Sequence, residues 1–234
     1  MPDTPAIALR RFTSRAELNT ALVERLERAI TESPGGRAPI NSPQALMLSG
    51  GSTPLPAYRE LASRSPKPAA NLSVLFSDDR YVPSTAEASN YRQSLPLLNA
   101  LALPEDSVLR VRTELPLDEA AKDYERRIDA LLLAGARFRL GLLGLGADGH
   151  TASLFNRADL ERSKGRRAIA VNRPDGMQAV SVTPEVLAHF SDLIFVVAGA
   201  EKHSAVQSLL NCDSNIAACG AIFSRANTEL WLAE

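Results

Sequence analysis

Asp148 and His150 flank Gly149 where the run Leu140-Gly141-Leu142-Leu143-Gly144-Leu145-Gly146-Ala147 breaks from apolar residues into glycines. An imidazole has an ordinary pKa of about 6.5, so its neutral form takes a proton from water near pH 7, and a neighbouring carboxylate can orient the ring. The plainer reading is a glycine-rich turn with a capping aspartate and a surface histidine. Two further stretches suit an anionic ligand. Ser49-Gly50-Gly51-Ser52-Thr53-Pro54 sets two glycines and two hydroxyls before a helix-forming segment, where free amides attract negative charge. Ser52 or Thr53 serves equally as an ordinary cap with Pro54 in the first turn, although that leaves Gly50 and Gly51 unexplained. Asp78-Asp79-Arg80 clusters charge after the run Val74-Leu75-Phe76. Adjacent carboxylates raise each other's pKa, so Arg80 either neutralises one or reaches toward a ligand, unless the whole turn is simply solvated. Lys202, in Gly199-Ala200-Glu201-Lys202-His203, is either a cation placed for an anion or a solvated helical lysine.

The elements needed to hold these groups alternate along the chain. Ile7-Ala8-Leu9 reads as a strand, and Ser14-Arg15-Ala16-Glu17 is a capping box opening a helix through Leu18, Leu22, Leu26 and Ile30. Pro34-Gly35-Gly36 would stop it. Ala45 to Leu48, Val74 to Phe76, Leu140 to Leu143, Ala168 to Val171, Val180 to Val182 and Leu193 to Ala198 read as further strands. Helices are expected from Leu55, from Ser89-Asn90, over Pro116 to Leu133, after Thr183 as cap, and after Lys202, and Thr228 to Leu232 reads as an edge strand. The expectation is one domain over residues 1–234: a single-domain α/β fold with a mostly parallel, Rossmann-like sheet and helices on both faces. Ligands of such sheets sit beyond the carboxyl ends of the strands, where all the stretches above fall.

Composition narrows the chemistry. A 45% apolar content supports a sizeable core, and a net charge of −1 supplies no global field for nucleic acid or an anionic membrane, so any selectivity for phosphate must be local. Only Cys212 and Cys219 are present, and they fit neither a disulfide framework nor a zinc site, which points to reduced thiols in the cytoplasm. Met1 to Pro5 shows no signal-peptide pattern, and Leu193 to Ala198 is too short to span a bilayer. His150, His189 and His203 are the only histidines and no H-E-x-x-H occurs, so neither a metal nor another cofactor is expected. Gly144 to Gly149 matches G-x-G-x-x-G, but the acidic residue expected about 20 positions on is missing, which counts against a dinucleotide. No G-x-S-x-G elbow is present either. What remains suits general-base attack of water on a phosphorylated electrophile. The expected partner is a small molecule, with a monomer and a small homo-oligomer both open.

Leu48-Ser49-Gly50-Gly51-Ser52-Thr53-Pro54, Asp78 to Pro83 with Ser89-Asn90, Gly144 to Phe155, and Gly199-Ala200-Glu201-Lys202 together resemble the 6-phosphogluconolactonase family over almost the whole chain. The resemblance implies metal-free hydrolysis of 6-phospho-D-glucono-1,5-lactone, with His150 as general base and Asp148 orienting it. It also implies that Gly50, Gly51, Ser52, Thr53, Asp78, Arg80 and Lys202 hold the phosphorylated sugar lactone. Two departures stand out. The family usually reads Asp-Glu-Arg where this chain has Asp78-Asp79-Arg80, and it commonly carries an arginine where this chain has Ala179, so Arg173 or Arg157 would have to substitute. Glucosamine-6-phosphate deaminase-like isomerases are similar but typically follow Asp-Gly-His with Ile-Ala-Phe-Asn-Glu, whereas this chain has Thr151-Ala152-Ser153-Leu154-Phe155. A non-catalytic sugar-phosphate sensor is the third reading, though no helix-turn-helix or basic arm precedes Ala45.

Overall fold

Apolar runs buried on two faces need cover on both, and the chain supplies it by crossing from strand to helix and back. A computed structural model describes residues 7–32, 42–222 and 227–233. The strands are β1 (Ile7–Phe12), β2 (Gln44–Leu48), β3 (Leu72–Phe76), β4 (Asp78–Arg80), β5 (Val108–Leu109), β6 (Arg137–Leu143), β7 (Ala168–Asn172), β8 (Gln178–Val182), β9 (Asp192–Ala198) and β10 (Asn227–Ala233). The α-helices are α1 (Arg15–Thr31), α2 (Leu55–Ser63), α3 (Asn90–Leu101), α4 (Leu117–Leu133), α5 (Arg157–Ser163), α6 (Pro184–Leu187), α7 (His203–Leu210) and α8 (Ala217–Ala221). Pro34-Gly35-Gly36, read as the stop of the first helix, lies outside the described residues.

Seven strands form one sheet in the order β1-β10-β9-β6-β2-β3-β5, and every pairing in it is parallel. Alternate residues of each strand face opposite sides. Leu46, Leu48, Val74 and Phe76 therefore join one apolar cluster beneath α1, α2 and α3. Met47, Leu75, Leu143 and Phe195 join another beneath α4 and α7. The parallel α/β architecture expected from the sequence is the one observed.

Several local expectations change. The strand at the end of the chain, β10, lies inside the sheet between β1 and β9, and β1 is the edge. Leu230, Leu232 and Ala233 pack into the core there, while β1 exposes most of its residues. β7 and β8 leave the parallel sheet and form an antiparallel hairpin that takes β4 as its third strand. Ser77 joins the two sheets: its N–H donates to the Leu48 carbonyl at 2.8 Å and its carbonyl accepts from Val182 N–H at 2.9 Å. Ser14 caps α1 as expected, accepting from Glu17 N–H at 3.2 Å, but the Glu17 carboxylate returns to Thr13. Thr183 stands at the start of α6 without a side-chain cap, because its hydroxyl donates instead to the Arg166 carbonyl.

Two buried tyrosines pin strand ends from opposite faces. Tyr58 of α2 donates to the Ser49 carbonyl at 2.8 Å and accepts from Ser49 N–H at 3.2 Å. Tyr124 of α4 does the same for Phe76, at 2.6 and 2.9 Å. Burial pushes both phenols well above their ordinary pKa, so they remain neutral donors. Tyr124→Phe leaves the Phe76 amide and carbonyl buried without this partner, and a loss of about 1–3 kcal/mol in urea unfolding is expected; unchanged stability would show that water replaces the phenol.

Candidate active site

The four strands whose carboxyl ends carry the polar stretches are neighbours, in the order β9-β6-β2-β3. Their following loops open into one cleft of about 340 Å³. Residues as far apart in the chain as Gly50 and Lys202 thus meet because the sheet order is not the chain order. Gly50, Gly51, Ser52, Thr53, Asp78, Arg80, His150, Arg173 and Lys202 all line this cleft. Asp148 does not line the cleft; its half-exposed carboxylate reaches it only through His150.

The turn after β6 is closed by Gly149 N–H on the Gly146 carbonyl at 3.0 Å and Gly146 N–H on the His150 carbonyl at 2.8 Å. Thr151 Oγ1 donates to the Gly144 carbonyl at 2.8 Å and fixes the loop from below. Gly149 has φ +81°, a conformation that glycine adopts without strain. His150 Nδ1 lies 2.5 Å from Asp148 Oδ1. That contact places the ring proton on Nδ1 and the lone pair on Nε2. Burial works against ionisation of Asp148, but hydrogen bonds and charge from His150 outweigh it and keep the carboxyl below its ordinary pKa. The Phe155 ring packs on the imidazole with centroids 4.4 Å apart, and the Arg173 guanidinium lies 5.2 Å from the centre of the same ring. No helix follows the glycine turn directly, since α5 begins only at Arg157; the dinucleotide fingerprint therefore lacks the helix N-terminus that a pyrophosphate needs.

At the end of β2, α2 begins at Leu55 after Pro54, with no side-chain cap from Ser52 or Thr53. The capping role offered for these hydroxyls is not observed, which leaves both on the cleft wall. Arg80 does not neutralise an adjacent acid; its Nη1 donates to Asn90 Oδ1 and to the Ala88 carbonyl, and its Nε is buried without a protein partner. Asp78 is 6% exposed and accepts from Ser77 Oγ at 2.9 Å and Ser153 Oγ at 2.7 Å. Asp79 is turned away into α3, where it accepts from Ser89 Oγ, Asn90 N–H and Tyr91 N–H. Burial pushes the Asp79 carboxyl up to about 6, the backbone hydrogen bonds pull it back, and Asp78 adds to the rise.

Arg173 comes from the turn between β7 and β8 and is paired with Asp175, with Nη2 at 2.9 Å from Oδ2. Arg157 is the first residue of α5 and lines a separate groove with Leu160 and Ile216, so it does not stand in for Ala179. His189 packs against Phe138 at the opposite end of β6 and does not line the cleft. Among the described residues, no three of His, Cys, Asp and Glu converge as a metal site would require.

Residues 13–231 match the model of a family described as glucosamine-6-phosphate isomerases/6-phosphogluconolactonase. The chain belongs to this family. A human 6-phosphogluconolactonase is 35% identical over 209 residues, which cover 85% of this chain and 80% of that protein. The structure of a 6-phosphogluconolactonase from Thermotoga maritima superposes with TM-score 0.77 at 25% identity, covering 98% of this chain and all of the other. A monomeric glucosamine-6-phosphate deaminase superposes as well, with TM-score 0.79 over 97% of this chain and 98% of the other, but at 16% identity it shows the fold alone.

Asn90 and Glu201 line the cleft, Phe155 packs on His150, and Ser153 bonds to Arg173 and Asp78; none of these was singled out by sequence. Asn90, Ser153 and Phe155 stood in the family-like blocks, but nothing local says that they meet. Glu201 lies against Gly199, where an added Cβ would come within 2.4 Å of its carboxylate.

Gly146 has to be glycine for a different reason: an added Cβ would fall 2.1 Å from His150 Nδ1 and 2.3 Å from Asp148 Oδ1. Gly146→Ala is expected to fold and to lose at least about a hundredfold in turnover, close to the loss from removing the base itself; near-native turnover would show that the pair can shift without penalty. The raised Asp79 carboxyl sets a second expectation. Its folded value of about 6 lies above the ordinary 3.8, so its stabilising contribution is whole below about pH 4 and lost as the pH rises through 6. Urea unfolding between pH 4.5 and 7 should show that slope in the native chain and a shallower one in Asp79→Asn; equal slopes would assign it elsewhere.

Proposed function

We propose that this protein hydrolyses 6-phospho-D-glucono-1,5-lactone to 6-phospho-D-gluconate, the second step of the oxidative pentose phosphate pathway. The observation that carries the reading is the Asp148–His150 pair at 2.5 Å, set beside a cleft walled by Arg80, Arg173 and Lys202. His150 Nε2 takes a proton from water as the water oxygen adds to the lactone carbonyl, and Asp148 stabilises the imidazolium that forms. The tetrahedral intermediate then breaks its bond to the ring oxygen, and the imidazolium returns its proton to that oxygen. The new carboxylic acid loses its proton to solvent. General-base assistance of this kind contributes roughly 10² to 10⁴ in rate.

The Gly50-Gly51-Ser52-Thr53 turn, Arg80, Arg173 and Lys202 hold the phosphate and sugar hydroxyls, and Asp78 organises the wall between the two arginines. The phosphate binds far from the reacting carbonyl, so its contacts are alike in the ground and transition states and act mainly on KM. No metal or other cofactor takes part. The protein works as one domain over residues 1–234 in the cytoplasm, as a monomer or small homo-oligomer, on a small molecule and not on nucleic acid or a membrane.

The test is hydrolysis of lactone generated in place, with the spontaneous rate subtracted. The native chain is expected to accelerate hydrolysis and His150→Ala to lose at least about a hundredfold of that acceleration. Rates equal to the uncatalysed one in both proteins would sink the reading: ammonia release from an amino-sugar phosphate would then support an isomerase, and tight binding of 6-phosphogluconate without turnover a sensor.

A further inference from the structure

Two cleft arginines are each linked to the same buried residue, Asp78, through a neutral side chain. Arg173 Nη1 donates to Ser153 Oγ at 3.1 Å, and Ser153 Oγ donates to Asp78 Oδ2 at 2.7 Å. On the other side Arg80 Nη1 donates to Asn90 Oδ1, and Asn90 Nδ2 donates to the Asp78 carbonyl at 2.8 Å and lies 3.4 Å from Asp78 Oδ1. Neither guanidinium forms an ion pair with Asp78 directly.

Ser153 and Asn90 are 0% and 1% exposed. Their side chains are therefore held by the fold rather than by solvent. The Asn90 amide is fixed at its base as well, because its own N–H donates to Asp79 at 2.6 Å, and its carbonyl accepts from Ser94 Oγ at 2.9 Å. The Ser153 N–H donates to Ser181 Oγ at 3.1 Å. The glycine turn after β2 rests on the same scaffold: a Cβ on Gly50 would fall 1.9 Å from Asn90 Oδ1. Arg80 also helps hold Asp175, the partner of Arg173, below the ordinary carboxylate pKa, after the larger effect of the hydrogen bond from Arg173 itself. Both guanidiniums line the same cleft.

Arg173 already gives Nε and Nη2 to Asp175, so a direct pair with Asp78 as well would leave it few donors for a ligand, and a direct pair would likewise occupy Arg80. A relay through a hydroxyl and an amide spends one donor on each side and keeps the counter-charge one residue away. We propose that Ser153 and Asn90 are positioning residues that aim Arg173 and Arg80 at a single phosphate dianion, with Asp78 as their shared buried counter-charge and Asn90 also seating the Gly50-Gly51 turn. This rests on the lactonase reading for the identity of the substrate, but not for the geometry.

Ser153→Ala and Asn90→Ala each remove one limb. Each is expected to raise KM for 6-phosphogluconolactone about tenfold or more while kcat stays within about threefold, because an arginine is misaimed and the base is untouched. Hydrolysis of glucono-1,5-lactone, which carries no phosphate, should fall by a clearly smaller factor in either variant. The two limbs meet at Asp78, so the double variant should raise KM by less than the product of the single effects. Loss of kcat with unchanged KM, or equal loss on the unphosphorylated lactone, would overturn the proposal. Calorimetric binding of 6-phosphogluconate separates it from the question of activity. A native chain that binds without turnover, beside variants that bind at least about tenfold more weakly, keeps the relay and discards the lactonase reading. Variants that bind as tightly as the native chain discard the relay. Should Asn90→Ala not fold, Asn90→Ser keeps a small polar group at the start of α3, and the same measurements apply to it.

Discussion

Every strand of the main sheet points the same way, and from this most of the site follows. A parallel strand can be reached again only by a crossover, so each loop that leaves a carboxyl end faces the same rim. From Leu46, Val74, Leu140 and Leu193 onward, β2, β3, β6 and β9 carry no polar side chain until the strand ends. Charge, hydroxyls and glycine are therefore concentrated at one edge, beside one another in the order β9-β6-β2-β3. The tyrosines at 58 and 124 hold two of those ends at fixed height by satisfying backbone groups that the sheet no longer pairs.

The second sheet turns that rim into a cleft. β4 continues from β3 after one residue, and Ser77 bonds to both sheets, so the β7–β8 hairpin stands over the strand ends and not beside them. Without it Arg173 would have no access to the site. β8 alternates in the usual way: Val180 and Val182 enter the core, while Ser181, which shares a face with Ala179, holds the Ser153 amide. The small side chain at 179, where the family commonly carries arginine, coincides with an arginine supplied from the tip of the same hairpin.

Two neighbouring carboxylates sit almost out of water without direct ion pairs, which is costly unless their lone pairs are filled. The chain fills them differently. Asp79 takes amides and a hydroxyl at the start of α3, where the helix dipole favours negative charge. Asp78 takes hydroxyls and an amide side chain. One fixes the helix that carries Asn90, and the other fixes the groups Asn90 helps to orient. Shortening the family's glutamate to Asp79 still leaves a carboxylate that reaches the helix amides.

The α/β class, the parallel sheet, most strands and helices, the Asp148–His150 pair and the glycine turn after β2 were legible in the sequence, because they depend on spacing along the chain: buried runs of strand length, a capping serine, glycines that end a run. What the sequence did not determine depends on contacts between distant segments. β10 was read as an edge strand since its own alternation cannot say what lies beside it. β7 and β8 read correctly as strands, but not as a separate antiparallel sheet. Arg80 was legible as a charge and not as the partner of Asn90. Arg157 and Arg173 were equal candidates to replace one missing arginine, and only the hairpin's position over β3 and β6 set one in the cleft and the other in a different groove. Local patterns specify elements because their physics is local; the site needed tertiary structure because its geometry is made by sheet order, which no short window of residues contains.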